Sequence, residues 1–264
     1  MKNSLLAACW FVLIVVLVAG AGCSKSSRSN ASNSKTLTAV PKEVNSPDDA
    51  AFDEFEKEVS KKDISISDPL EPLNRTLFGF NDVLYFWVVK PVTKTYSNVV
   101  PKPGRIGIGN FFRNITTPIR LANCLLQGKT KAASREVDRF AINTTVGILG
   151  VGDPAADKWK IKPADEDLGQ TLAVYGLGNG YYLVLPFFGP STLRDTGGMA
   201  GDMFLNPIFY VEPRELAIGI SAWHFTNQGS FRIGDYESIK EASMDPYVAI
   251  RGIYVQNRDK KIKE

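Results

Sequence analysis

One short stretch of this chain is apolar on every side, and it limits the folds that the chain can adopt. Residues 83–89 read VLYFWVV, so in a helix their side chains would cover even the face that normally meets water. Lys90 and Pro91 end this run long before it reaches the roughly 20 apolar residues that a membrane-spanning helix needs. The segment therefore predicts either the centre of a compact core or a helix partly immersed in lipid.

The N-terminal region favours the lipid alternative. Lys2 precedes an apolar run over 5–18, and the small residues 19–22 lead into Cys23, which is the residue order of a secretory signal. A thiol directly after the small residues is the acceptor of a diacylglyceryl group, so we expect residues 1–22 to be a lipoprotein signal peptide and Cys23 to be lipidated. A plain export signal with an incidental cysteine and a permanent transmembrane anchor are the alternatives.

The residues after Cys23 predict a tether on the periplasmic face of the outer membrane. Ser24 follows the cysteine where Asp would indicate retention at the inner membrane. Residues 23–67 begin with a Ser-, Asn-, Lys- and Thr-rich segment that cannot bury enough surface to order itself. Residues 47–59 have the spacing of a short amphipathic helix, for packing or membrane contact. Since Cys124 is the other cysteine of the mature chain, we expect no internal disulfide.

Beyond the tether the patterns are mainly helical. Asp68, Pro69 and Glu71 have the positions of a helix cap, a first-turn proline and a capping-box partner. Periodic apolar segments bounded by glycine or proline predict at least six helices, with no alternating strand–helix order. They include 119–126 and 137–146, on either side of Gly128, and two segments that start after Pro213 and at Pro246.

Two features interrupt the helical pattern. Two short strand-like runs flank Gly176, Gly178 and Gly180 and predict a β-hairpin with the glycines at its turn, although GLGNG could also cradle a phosphate. Residues 257–264 read NRDKKIKE and predict a charged tail. The folded domain is thus expected at 68–256.

Composition and motifs exclude several function classes. The formal net charge of +3 is close to neutral, and no basic stripe with interleaved aromatics indicates nucleic-acid binding. His224 is the single histidine, so a transition-metal site with three or four N or S ligands is not expected. Gly150, Gly152 and Ala155 match a dinucleotide fingerprint, but a helical pattern precedes them. Ser191 lacks the flanking glycines of a nucleophile elbow. We expect no cofactor, no metal and no catalytic residue.

Four segments together resemble one known family. They read DPLEPLNRTLFGFND at 68–82, DRFAINTTVGILGVGDPAA at 138–156, EDLGQTLAVYGLGNGYYLVLPFFGPSTLRDTGG at 166–198 and DPYVAIRGIYVQ at 245–256. In this order they resemble the MlaA family, also called VacJ lipoproteins. The Y-G-x-G-x-G-x-Y-x-x-L-P block inside the third segment is the most specific of these motifs.

The resemblance implies a fold and a function. The fold is a mainly α, ring-like assembly of about six or more helices with a short β-hairpin, embedded in the inner leaflet of the outer membrane. The function is to remove mislocalised phospholipids from the outer leaflet through an amphipathic channel. The implied partners are phospholipid, a trimeric porin and the periplasmic lipid carrier MlaC. A passive lipoprotein that braces a porin, and a periplasmic lipid hydrolase, are the alternatives.

Residues can then be assigned to the expected channel. Arg194, Asp195 and Asp202 are candidates to face the headgroup, as are Arg139 and Asn143, which lie one helical turn apart. For Arg194 and Asp195 an internal salt bridge is the alternative. The glycines 176, 178 and 180 are assigned a structural role in a hairpin beside the channel, and Tyr85, Phe86 and Trp87 are assigned to a membrane-embedded helix.

Overall fold

Helices make up most of the chain in the computed structural model, which describes residues 66–264. The described residues belong to one compact unit. The predicted signal peptide, Cys23 and the expected helix at 47–59 lie outside the described residues.

The elements follow one another with short connections. In the first half they are α1 (Glu71–Leu84), a π-helix (Tyr85–Val89), α2 (Lys90–Val99), α3 (Lys102–Ile115), α4 (Thr117–Leu126), α5 (Thr130–Thr145) and α6 (Pro154–Asp157). In the second half they are α7 (Leu168–Val174), β1 (Tyr182–Leu185), β2 (Gly189–Thr192), α8 (Leu193–Met203), a 3-10 turn (Pro207–Tyr210), α9 (Arg214–Gly229), α10 (Asp235–Ala242) and α11 (Pro246–Lys263). The prediction of a mainly helical chain with a short hairpin is confirmed.

Helix boundaries follow the local signals closely. Gly128 has a φ of +70°, the left-handed conformation that glycine adopts without strain, and it separates α4 from α5 as expected. At the start of α11, the Asp245 carboxylate accepts hydrogen bonds from the backbone N–H groups of Tyr247 and Val248. Residues 257–264, predicted as a charged tail, continue α11 through Lys263. Basic residues in a last turn stabilise the C-terminal end of a helix dipole.

The predicted cap of α1 is wrong. The N-cap residue is Leu70, and no side chain caps this helix. The Asp68 carboxylate instead accepts hydrogen bonds from Asn74 Nδ2 at 2.8 Å, from Arg251 Nη1 at 2.8 Å and from the Tyr247 hydroxyl. Asp68 therefore ties the start of α1 to α11, a contact between residues far apart in the chain.

The β-hairpin lies further along the chain than predicted. β1 and β2 pair antiparallel, with Tyr182 opposite Thr192 and Leu185 opposite Gly189, so the turn is at 186–188. The first of the two runs expected to be strands lies largely in α7. The glycines 176, 178 and 180 therefore lie in the loop between α7 and β1, not at the turn of the hairpin.

An apolar core lies where the hairpin packs between α1 and α11. Its buried members are Tyr182, Val184 and Tyr247, with Ile66, Leu77, Phe78 and Tyr254 packed against them. A second cluster contains Cys124, Ala132, Ala133 and Ala164. Cys124 is buried and has no disulfide partner among the described residues, and burial raises the pKa of its thiol to about 11.

In helix α5, several polar side chains are buried and the larger apolar side chains are exposed, which reverses the usual arrangement. Its buried side chains include Glu136, Arg139 and Asn143, whereas Val137 and Phe140 are 49% and 44% exposed. A helix that packs in water buries its apolar stripe and exposes its polar face. Elsewhere too, buried polar side chains outnumber buried apolar ones among the described residues.

The all-round apolar segment does not form the centre of a core. None of its π-helical residues is buried, and Trp87 is 80% exposed. Tyr85 and Phe86 are half-buried and pack against Tyr236 of α10. Among residues 66–264, no helix combines the length and apolar character needed to cross a membrane.

Candidate functional site

A cavity of about 310 Å³ lies where the hairpin meets α7, α8 and α11. One part of its wall is charged or polar and consists of Asp167, Asp195, Asp202, Arg258, Ser191 and Tyr254. The other part is apolar and consists of Leu185, Phe188, Pro190 and Met199. We call this space the charged cavity, after the charged side chains on one part of its amphipathic wall.

Arg258 organises the polar wall of the charged cavity. Its guanidinium donates to both oxygens of Asp167, at 2.6 and 2.9 Å, and to both oxygens of Asp195, at 3.0 and 2.9 Å. The Tyr254 hydroxyl donates to Asp195 Oδ2 at 2.7 Å. Charge-assisted bonds of this fork geometry are among the strongest that side chains form, so one arginine of α11 holds carboxylates from α7 and α8.

Local structure places each of these groups. Asp167 caps α7 by accepting hydrogen bonds from the N–H and the side-chain amide of Gln170. Asp195 lies in the first turn of α8, and Tyr254 and Arg258 lie four residues apart on one face of α11. A Cβ at Gly169 would lie 2.6 Å from Asp195 Oδ1 and 2.7 Å from Arg258 Nη2. Glycine at 169 therefore lets α7 approach this ion pair closely.

The three carboxylates have different electrostatic environments. Burial alone would raise the pKa of Asp167 and of Asp195, but hydrogen bonds and charge from Arg258 outweigh it and hold both pKa values below the usual range. Burial raises the pKa of Asp202. Asp202 accepts bonds from Leu168 N at 3.0 Å and Asn123 Nδ2 at 2.9 Å. Asp202 thus accepts hydrogen bonds from neutral groups, whereas Asp167 and Asp195 also accept them from the Arg258 guanidinium.

Arg194 does not line the charged cavity. Its Nη2 lies 2.9 Å from Asp195 Oδ1, and its side chain is 3% exposed. Its Nη1 is directed at the carbonyl oxygen of Leu177, in the loop before the hairpin. The geometry of Arg194 is that of the internal salt bridge, whereas Asp195 takes part in that pair and also borders the charged cavity.

Arg139 and Asn143 belong to a second, separate polar cluster. Asp153 Oδ2 accepts from Arg139 Nη2 at 2.6 Å, and Asp153 Oδ1 accepts from Asn143 Nδ2 at 2.9 Å. Arg139 also donates to the carbonyl of Ile161 at 2.6 Å. The space beside this cluster is about 10 Å³, roughly the room that one water molecule needs. These two candidates hold the segment after α5 in place and do not border the charged cavity.

An apolar cavity of about 240 Å³ lies next to the charged cavity. Side chains of α1, the π-helix, the hairpin, α9, α10 and α11 form its wall, and Phe188 and Pro190 border both cavities. The hairpin therefore lies between a charged and an apolar space.

Sequence reasoning missed Asp167, Tyr254 and Arg258. The D-x-x-Q pattern at 167–170 is a capping signal that would have identified Asp167 as the start of a helix. Arg258 fell within the predicted tail. Nothing local in the sequence indicates that Arg258 pairs with carboxylates 63 and 91 residues earlier in the chain.

The family model described as "MlaA lipoprotein" matches residues 66–261. The Escherichia coli K12 "Intermembrane phospholipid transport system lipoprotein MlaA" is 35% identical over 199 residues, which cover 73% of this chain and 77% of that protein. The Haemophilus influenzae protein of the same name is 30% identical over 211 residues, covering 79% and 82%.

A solved structure is also similar. It is described as the structural basis for maintenance of bacterial outer membrane lipid asymmetry. Its sequence is 33% identical, the TM-score is 0.66, and the match covers 74% of this chain and 99% of the other. The likeness therefore extends over almost the whole of that chain.

Proposed function

The chain belongs to the MlaA lipoprotein family, and from this premise we propose that it removes mislocalised phospholipids from the outer leaflet of the outer membrane. In this proposal the lipid moves through an amphipathic channel and passes to the periplasmic carrier MlaC, which maintains lipid asymmetry. Cys23 carries the lipid anchor on the periplasmic face, a trimeric porin holds the protein, and the helices form a ring within the inner leaflet.

The observation that carries the proposal is the reversed polarity of α5 and its neighbours. Glu136, Arg139 and Asn143 face inward while Val137 and Phe140 face outward. Contiguous exposed apolar surface marks protein or membrane contact, because in water it is costly. A polar interior with an apolar exterior is the arrangement expected of a protein that lies in lipid and offers a polar surface inside.

The proposed mechanism lowers a desolvation barrier. Moving a charged headgroup past hydrocarbon costs several kcal/mol or more. The charged cavity offers Asp195, Asp202 and Arg258 to the headgroup and Phe188 and Met199 to the acyl chains. No bond is made or broken, so transport needs no catalytic residue, and the relatives are named as lipoproteins of a transport system. The direction of net flow follows the gradient that the partners maintain.

Deleting the gene and measuring phospholipid at the cell surface tests this function. We expect surface phospholipid to rise, and the wild-type gene to restore it. Cys23→Ala should not restore it, whereas the matched variant Cys9→Ala, within the predicted signal peptide, should. Unchanged surface phospholipid in the deletion strain would contradict the proposal.

A second comparison separates transport from a purely bracing role. Asp202→Asn removes a carboxylate of the charged cavity, and Asp157→Asn removes an exposed carboxylate of α6. At equal protein levels, we expect surface phospholipid to rise with Asp202→Asn and to stay at the wild-type level with Asp157→Asn. If neither variant changes surface phospholipid while deletion of the gene does, the porin-bracing function is favoured.

A further inference from the structure

The residues that line the apolar cavity, and its position beside the charged cavity, indicate what kind of molecule it binds. We propose that it binds one acyl chain of a membrane phospholipid while the headgroup lies in the charged cavity. This inference rests on the proposed function, and it adds a binding site for the apolar part of the substrate. Its wall includes Phe78, Val184, Phe187, Phe188, Phe225 and Ile250.

Three polar side chains on this wall, those of Asn81, Tyr85 and Tyr236, already have hydrogen-bond partners. Asn81 Nδ2 donates to the carbonyl of Leu185, and Asn81 Oδ1 accepts from the N–H of Phe187, both at 2.9 Å. The hydroxyls of Tyr85 and Tyr236 donate to Glu237 and Asp82, both at 2.7 Å. The buried side-chain atoms that lack partners among residues 66–264 lie elsewhere. A space with mainly apolar walls favours apolar ligands.

The size of the cavity fits part of a lipid. Pockets for drug-sized ligands have volumes of about 300–1,000 Å³, and this one has about 240 Å³. A whole phospholipid is too large for it, whereas a segment of a single chain is not.

The position of the cavity indicates which molecule supplies the chain. Phe188 and Pro190 border both this cavity and the charged cavity. A ligand that occupies both must be charged at one end and apolar at the other, with the two parts joined. Phospholipid has this chemistry, and it is the substrate that the proposed function requires.

Two ion-pair clusters position the walls of the cavity. Glu237 accepts from Tyr85 and lies 2.7 Å from Lys90 Nζ, and Asp82 accepts from Tyr236 and from Lys240 Nζ at 2.8 Å. These contacts hold the aromatic rings of the π-helix and of α10 against one another. The π-helix contributes Tyr85 and Val89 to the wall, and π-helical insertions occur frequently at functional sites.

Photo-cross-linking with a matched pair of variants tests the site. The full-length lipidated protein is placed in vesicles of phosphatidylethanolamine and phosphatidylglycerol, with a phosphatidylcholine probe that has a diazirine near the end of one acyl chain. We expect labelling of peptides that contain the hairpin and Ile250. Val89→Trp fills the cavity and should lower this labelling about tenfold, because the indole takes the space of the chain. Val88→Trp, on the exposed side of the same segment, should not.

A second pair of variants guards against misfolding. If Val89→Trp lowers the thermal midpoint, Ile250→Phe, which also fills the cavity, is compared with Val248→Phe, which lies on the exposed face of α11. Equal hairpin labelling in the filled and control variants would overturn the inference.

Other occupants predict different results. If a diazirine-bearing free fatty acid labels the hairpin and the phospholipid probe does not, the site does not serve phospholipid and the inference is wrong. It is also wrong if the phospholipid probe labels only Cys23→Ala, since the chain's own anchor would then occupy the cavity.

The inference and the proposed function fail in different assays. Absent labelling, in a protein that still clears surface phospholipid from cells, overturns the acyl-chain site alone. Specific labelling, in a protein whose deletion leaves surface phospholipid unchanged, overturns the transport function alone.

Discussion

The region around the hairpin and the region around α5 differ in the side chains that they bury: apolar ones near the hairpin and charged ones in α5. Around the hairpin, Tyr182, Val184 and Tyr247 are buried in an apolar cluster, as in a protein that folds in water. In α5, Glu136 and Arg139 are buried, and the larger apolar side chains Val137 and Phe140 face outward. The two arrangements differ in the surroundings that favour them: in the proposed function, the first suits water and the second suits lipid.

The largest expected effect comes from breaking the apolar region. Tyr182→Ala should lower the free energy of unfolding by about 3–5 kcal/mol, because an aromatic side chain that is 1% exposed leaves a cavity when it is removed. The neighbouring Tyr181 is 52% exposed, so Tyr181→Ala should change it by less than about 0.5 kcal/mol. Denaturant unfolding in a mild detergent measures both. Equal losses would show that this region is not the stabilising core.

The next effect breaks the polar region of α5. Glu136 accepts from Arg120 Nε at 2.7 Å and from Ala164 N at 2.7 Å, and its side chain is 1% exposed. Glu136→Ala leaves the largely buried guanidinium of Arg120 without its carboxylate, so we expect a loss of about 3 kcal/mol. Val137→Ala on the outward face should cost little in the same detergent assay. A larger loss for Val137→Ala than for Glu136→Ala would refute the reversed polarity of this helix.

A smaller and graded effect is the response to acid. The pKa values of Asp167 and Asp195 are held below their unfolded value, so their stabilising contribution is present above about pH 4 and is lost as pH falls through the folded pKa values. Asp202 acts in the opposite direction, since its raised pKa favours its protonated form in the folded state. Unfolding free energies measured from pH 6 to pH 3 should therefore decrease toward acid. In Asp195→Asn, stability at pH 6 should be lower and the decrease toward acid shallower. An unchanged slope in this variant would contradict the role assigned to the Arg258 pair.

The smallest expected effect on stability concerns the exposed apolar face of α5. Phe140 is 44% exposed on α5, so Phe140→Asp should change the free energy of unfolding in detergent by about 0.5 kcal/mol or less. In the Cys23→Ala background, Phe140→Asp should also weaken the binding of the protein to vesicles, measured by flotation, because it places a charge on the apolar face of α5. Asp138→Asn, on the same helix, is the control for a change of charge. Flotation that is unaffected by Phe140→Asp would indicate that this face does not contact lipid.

Much of the secondary structure was predictable, because its signals are local. Glycine in a left-handed conformation at Gly128 and the prolines that open α9 and α11 act on their immediate neighbours. The misplaced hairpin has the same origin, since the run before Gly176 is as compatible with a helix as with a strand. The prediction that Asp68 caps α1 was wrong because its carboxylate accepts hydrogen bonds from Tyr247 and Arg251. No local pattern reveals these contacts.

The sequence by itself determined the helical class, several helix boundaries and the resemblance that led to the family. These follow from periodicity, glycine and proline geometry, and motif order, all of which act over short distances along the chain. Only the tertiary structure decided which charged residues meet. Arg258 lies beside Asp167 and Asp195 because α11 packs against α7 and α8, and Arg139 is separated from them because it turns toward Asp153. Long-range ion pairs depend on the packing of whole helices, so their partners become visible only when the chain is folded.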